Sequence, residues 1–236
     1  MKTAQEYQKR LQRHLDELKW LYCELYPGRE DMFTQLCEQM EAWYQERPES
    51  EKKLDREREQ EPAWYSRQDM LGMMLYIDAF AGNLKGVKKK LPYLEACNVN
   101  YLHLMPFLDT PKGKSDGGYA VADYRKVQPA LGTMEELASL CSACHEKKMS
   151  VCMDFVMNHT SEDHEWAKRA LAGEKEYQDR YFFYDTPDIP QEFEKTVPQV
   201  FPTTAPGNFT WRGSIAPEIH FFIGQMRKES CWGCAW

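Results

Sequence analysis

Lys148–Glu162 reads KMSVCMDFVMNHTSE, a short apolar run that ends in groups able to ionise and to hydrogen-bond. Ser150–Val156, rich in Val, Met, Cys and Phe, has the length of a strand. Its apolar continuity, with no alternation of polar residues, predicts a strand covered on both faces, as in a parallel sheet. Asp154, Asn158 and His159 then fall at its C-terminal end, where α/β barrels carry their chemistry.

Upstream of that strand the period alternates between strand and helix. Met73–Phe80 (MMLYIDAF) is a first apolar run of strand length, and Val99–Met105 (VNYLHLM), closed by Pro106, is a second. Between them Leu84–Cys97 places Leu84, Val87, Leu91 and Leu94 at helical spacing, with Pro92 marking a kink or a late start. Phe107–Thr133 reads as a long loop, and Met134–Lys147 as a helix leading into the strand quoted first. Strand, helix, strand, helix, strand predicts right-handed βαβ units in a parallel sheet, a pattern shared by barrels and doubly wound sheets.

The N-terminal part has another character. Thr3–Tyr26 contains no Gly or Pro and carries Leu11, Leu15, Leu18, Leu21, Tyr22 and Leu25 on one stripe, which predicts a single amphipathic helix. Pro27-Gly28 breaks it. Asp31 is placed to cap a second helix with Met32, Phe33, Leu36, Cys37, Met40 and Trp43, and Pro48 ends that one. Glu46–Glu61 is almost wholly charged around a single Leu54, the composition of a solvated helix or linker. A domain boundary is expected near Glu61–Trp64.

With 236 residues the chain can bury a substantial core. The net charge of -7, with Lys and Arg interspersed among Asp and Glu, argues against a nucleic-acid partner. Nothing approaches the roughly 18 consecutive apolar residues of a membrane helix, and Met1–Arg13 lacks the apolar core of an export signal. A cytoplasmic protein with reduced thiols is expected, and its eight cysteines are scattered through helix and strand patterns. Cys141/Cys144 and Cys231/Cys234 form two CxxC pairs, but the first lies within a helical pattern rather than on a zinc knuckle, so no metal or other cofactor is expected.

The D-x-x-x-N-H pattern at Asp154, Asn158 and His159 resembles the first signature of the α-amylase family of glycoside hydrolases. Gly117–Thr133 (GGYAVADYRKVQPALGT), Asp154–Trp166 (DFVMNHTSEDHEW) and Phe201–Trp211 (FPTTAPGNFTW) most resemble the amylosucrases of that family. The resemblance implies an α/β architecture: an all-helical N-terminal domain (1–61), the first three βα units of an incomplete (β/α)8 TIM barrel (62–160), and the start of domain B (161–211). It also implies a retaining transfer of glucose from sucrose to an α-glucan or to water. Sucrose hydrolase and α-amylase-type hydrolase stay open, because Asp123-Tyr124 completes a pattern of general α-amylases. So does a non-catalytic carbohydrate-binding role.

The resemblance assigns substrate contact to Asp116, to Tyr119 as a platform under the glucosyl ring, and to His159. Asp154 is expected to order its neighbours. Asn158 stands where many α-amylases ligate calcium, which amylosucrases do not need. Asp78, read as the end of the first strand, is expected to be structural. His145, His164 and His220 read as surface residues and His103 as a buried strand residue. The family's nucleophile and acid/base follow its fourth and fifth strands, and the R-x-D strings at Arg29–Asp31 and Arg67–Asp69 lie too early to serve. The chain alone is therefore expected to be inactive and prone to self-association through uncovered barrel edges. Residues 212–236 diverge from the expected continuation, which suggests a shifted reading frame.

Overall fold

Three parallel strands form the sheet on which the candidate site is built: β1 (Gly72–Leu75), β2 (Tyr101–Leu104) and β5 (Ser150–Met153) lie side by side in that order. Tyr101 is in register with Gly72 on one side and Ser150 on the other. The computed structural model describes residues 2–113, 115, 117–184, 211–212 and 221–226. It divides into two compact units, residues 1–68 and 69–236.

In the second unit, β1 is followed by three short helices, α5 (Ile77–Ala81), α6 (Leu84–Lys89) and α7 (Leu91–Ala96), before β2. The helix α8 (Met134–Glu146) precedes β5, and Thr133 caps it by accepting the Glu136 N–H. Leu102 and Leu104 on β2 are fully buried in one core with Leu84, Val87, Leu94 and Leu140. Each such leucine contributes about 1.5–3 kcal/mol relative to an exposed one. Tyr101 and His103 alternate with them on the opposite face and are half-buried.

Three expectations change here. The first strand stops at Leu75, and Ile77–Ala81 is helical, so Asp78 lies in α5 rather than in a strand. An unbroken apolar run does not distinguish strand from buried helix. Pro92 marks a division: α6 and α7 are separate helices, with the proline in the first turn of α7 where its missing N–H costs nothing. The expected loop 107–133 contains an antiparallel pair, β3 (Leu108–Asp109) and β4 (Asp123–Val127).

After β5 come α9 (Glu165–Leu171), α10 (Lys175–Gln178) and β6 (Tyr181–Tyr184). β8 (Phe221–Met226) lies between β6 and β7 (Trp211–Arg212) in a separate antiparallel sheet. A segment read as divergent thus supplies the middle strand of that sheet. His164, expected at the surface, is buried and caps α9, its Nδ1 accepting the Trp166 N–H at 3.1 Å. His220 lies outside the described residues.

The described residues of the first unit carry four α-helices, α1 (Lys2–Gln12), α2 (Leu15–Leu25), α3 (Glu30–Glu46) and α4 (Glu49–Gln60), and then a short 3-10 turn at Trp64–Ser66. The expected single helix over 3–26 turns at Arg13-His14, with no Gly or Pro to cause it. The turn lets each half reach α3, Tyr7 by donating to the Cys37 carbonyl at 2.9 Å and Tyr22 through its ring against Phe33. α3 begins at Glu30, so Asp31 lies in its first turn rather than at the cap. The charged segment is no free linker. Asp55 joins Arg10 and Arg47 at 3.3 and 2.6 Å, Glu59 joins Arg10 at 2.7 Å, and Lys52 is buried beside the Tyr44 ring.

Candidate functional site

At the C-terminal ends of the three parallel strands the chain makes one glycine-rich turn, and each strand end meets one residue of it. Gly117 has φ +60°, and a Cβ there would come within 3.0 Å of the Tyr76 hydroxyl, just past β1. Gly118 has φ +88°, and its Cβ would lie 2.9 Å from both the Cβ and the carbonyl oxygen of Pro106, just past β2. Tyr119 donates its hydroxyl to the Asp154 carboxylate, just past β5, at 2.7 Å. Positive φ favours glycine at both of the first two positions, and at Gly118 the closeness to Pro106 requires it as well.

Tyr119 is also held from behind. The His159 ring hydrogen-bonds the Tyr119 backbone, and the Asn158 amide nitrogen lies 3.2 Å from Nδ1 of His159, an arrangement that fits a neutral ring protonated on Nε2. Burial lowers the His159 pKa against the opposing pull of that backbone bond. Ser161 N–H donates to the Val121 carbonyl at 2.8 Å, tying the two segments further. Tyr119 remains 37% exposed, so part of an aromatic side chain is open to solvent while its polar tip is fixed. The Asp154 hydrogen bond, followed by burial and by the charge of Asp154, pushes the phenol up to about 12. It therefore stays protonated and acts as a donor.

The structure thus joins Tyr119, Asp154, Asn158 and His159. It does not bring Asp78 into this group: Asp78 is exposed in α5, and its carbonyl accepts the Gly82 N–H. Asp116 lies outside the described residues. Two residues that the sequence reading left unassigned belong to the arrangement. One is Tyr76. The other is Tyr124, whose buried hydroxyl lies 2.7 Å from the Val156 carbonyl and 3.0 Å from that of His159, fixing the segment that carries the histidine. The apolar run around Tyr76 disguised it as strand core, whereas Tyr124 stood in a quoted motif without a role.

Asp123 faces elsewhere. It lines a cleft of about 550 Å³ with Asp109, Lys126, Asp163 and Lys168. Burial would raise its pKa, but the Arg125 N–H and the Lys126 ammonium hold the carboxyl below its usual range. No cluster of three or more His, Cys, Asp or Glu side chains suited to a metal occurs among the described residues, and no described helix is long and apolar enough to cross a membrane.

Residues 38–228 match the family model described as "Alpha amylase, catalytic domain". The chain is 37% identical over 131 residues to a trehalose synthase of Pimelobacter sp. strain R48, covering 55% of this chain and 22% of that protein. It is 37% identical over 117 residues to maltase 1 of Drosophila virilis, covering 50% of this chain and 18% of that one. It therefore spans about a fifth of the length of these relatives. A solved family GH13_31 enzyme superposes with a TM-score of 0.56 at 26% identity, covering 69% of this chain and 31% of that one.

Proposed function

The chain belongs to the α-amylase family of glycoside hydrolases, with a partial barrel of its type, and from this we propose that it forms the donor-sugar side of a cytoplasmic, amylosucrase-like retaining α-transglucosidase. The observation that carries the reading is the Tyr119 platform. A glucosyl ring offers apolar CH faces that stack on an exposed aromatic face, and a rim of hydroxyls that needs fixed polar partners. Tyr119 supplies the face, while His159 and Asp154 hold it from two sides. Asp116 and His159 are assigned to the sugar hydroxyls by the same resemblance. The helical first unit is assigned as the N-terminal domain of the amylosucrase type.

In a retaining transfer one carboxylate attacks the anomeric carbon, and a second, roughly 5–5.5 Å away, protonates the leaving group and later activates the acceptor. Asp154 is assigned to holding the Tyr119 hydroxyl rather than to either task. We assign no nucleophile or acid/base to residues 1–236 and expect this chain to bind sugar without turning it over. β1 and β5 each pair on one side only among the described residues, and Met74 is 64% exposed. Open strand edges beside apolar side chains recruit other strands, so we expect self-association.

A second reading is a hydrolase or isomerase of other α-glucosides. The names of two relatives, trehalose synthase and maltase, favour it, as does the Asp123-Tyr124 pattern. Both readings use one glucosyl pocket. Saturation-transfer NMR with sucrose, trehalose and maltose at millimolar concentration separates them. Transfer to the glucosyl ring of sucrose, lost in Tyr119→Ala and unaccompanied by fructose release, is expected. Transfer from trehalose or maltose but not sucrose would replace the first reading with the second. Fructose release by this chain would overturn the assignment of the carboxylates.

A further inference from the structure

Of the three strand-end contacts on the glycine-rich turn, the one from β1 has no role in the reading above. Tyr76 follows β1 directly and is 39% exposed, although Leu75 and Ile77 on either side are buried at 7% and 2%. Its backbone is anchored twice over, by the strand that ends at Leu75 and by its carbonyl, which accepts the Phe80 N–H at 3.0 Å as the first bond of α5. The side chain therefore projects from a rigid base into the open end of the sheet. A ring placed there to fill the core would be covered; this one is not.

Its hydroxyl goes to a specific place. A Cβ on Gly117 would meet the Tyr76 hydroxyl at 3.0 Å and two carbons of the Tyr119 ring at 3.4 Å. The two tyrosines thus share the space that a side chain at 117 would occupy, one on each flank of the glycine. Asp154 anchors the far tip of Tyr119, and Pro106 backs Gly118. Without a wall on the β1 side, nothing in this set of contacts would stop the turn from swinging away from β5.

We propose that Tyr76 is a positioning residue for the Tyr119 platform: its phenol, set at the end of β1, buttresses Gly117 and so fixes the ring of Tyr119 over the end of β5. Gly117 then has two reasons to be glycine, its positive φ and the room it leaves for Tyr76. Charge from Tyr76 also contributes to the raised pKa of Tyr119, as proximity requires. The effect on ligand binding rests on the reading of Tyr119 as a sugar platform. The positioning itself does not.

The test uses the full chain with ¹³Cζ-labelled tyrosine, the Tyr119 resonance being assigned with Tyr119→Phe. In Tyr76→Ala the Tyr119 titration should move down from about 12 towards the ordinary tyrosine value near 10, as its ring leaves Asp154. Glucoside saturation transfer should weaken by about tenfold, the scale expected for a platform displaced by a fraction of an ångström. Tyr76→Phe keeps the ring and removes the hydroxyl and its charge, so only the part of the Tyr76→Ala shift that exceeds the Tyr76→Phe shift reports the ring leaving Asp154, and that excess is expected to be the larger part. A double-mutant cycle guards against a variant that fails to fold: Gly117→Ala should do less damage in the Tyr76→Phe background than in the wild type, because the backbone strain is common to both and only the hydroxyl contact is relieved.

An unmoved Tyr119 titration in Tyr76→Ala, or an additive cycle, would overturn the proposal. A titration that falls in a chain whose wild type shows no glucoside transfer would uphold Tyr76 as the positioning residue and reject the sugar reading instead. Loss of transfer with the titration unmoved would mean that Tyr76 acts on the ligand and not through Tyr119, which also overturns it.

Discussion

Replacing Tyr124 by phenylalanine removes one oxygen from the centre of the arrangement and leaves its packing intact. The ring is 5% exposed and touches Phe155 and His164 at centroid distances of 5.3 and 5.8 Å, contacts that phenylalanine keeps. What disappears is the donor to the carbonyls of Val156 and His159, at 2.7 and 3.0 Å. Val156 is buried, so water does not readily replace the lost donor, whereas His159 is half-buried and can be partly resolvated. One stranded buried carbonyl costs about 1–3 kcal/mol, and a central figure near 2 is expected here. For a unit of this size each kcal/mol moves the midpoint by about 2–4 °C, so Tyr124→Phe should melt about 4–8 °C lower. Near-UV circular dichroism follows the transition, and a urea series should show a lower midpoint at unchanged m. Amide exchange at 157–159 should quicken, because the lost bond is the one that fixes this segment. A melting midpoint within about 1 °C of wild type, with unchanged exchange, would refute the role given to the hydroxyl.

Asp154→Asn weakens the hydrogen bond and removes the charge that together raise the Tyr119 pKa. Its titration should fall from about 12 towards the ordinary value near 10, and a midpoint that stays put would exclude Asp154 as the cause. Gly118→Ala places a methyl 2.9 Å from Pro106 at φ +88° and should cost about 1–3 kcal/mol in urea unfolding; a loss under about 0.5 kcal/mol would show that the turn gives way easily. Burial lowers the His164 pKa, with Arg125 and Arg180 acting the same way and Asp123 and Glu165 opposing. A base held neutral by folding contributes its full stability above the unfolded value near 6.5 and loses it as pH falls through the lower folded value. His164→Asn keeps a cap acceptor that does not titrate and should flatten part of the loss between about pH 7 and 5, and an unchanged slope would refute this.

The parallel strands were legible because each is a short apolar run between a helical pattern and a breaker. Their ends were not. MMLYIDAF is apolar but for Asp78, and only the packing decides that Leu75 closes a strand and Ile77 opens a helix. β3 is two residues long, too short to show any period, so the loop around it hid a β-ladder. The break at Arg13-His14 has no local signal at all, because the cause is tertiary: two helical halves each reach α3. Likewise α4 read as solvated because its attachments are ion pairs and a buried lysine, which hydrophobic periodicity does not register.

The candidate site divides in the same way. Tyr119, Asp154, Asn158 and His159 could be named from the sequence because they sit in motifs, whereas the connection between the motifs could not, since it lies across three strands distant in the chain. Gly117 and Gly118 look interchangeable as letters. In the fold each yields space to a different strand end, Gly117 to Tyr76 and Gly118 to Pro106. The pair is therefore more than a flexible hinge. It brings the backbone close enough for the sheet to grip it, and an exposed tyrosine that follows immediately inherits the rigidity of β1, β2 and β5 together. An exposed ring on a free loop would otherwise lose stacking energy to its own motion. Here the loop meets the strand ends at three consecutive residues, Gly117 at Tyr76, Gly118 at Pro106 and Tyr119 at Asp154.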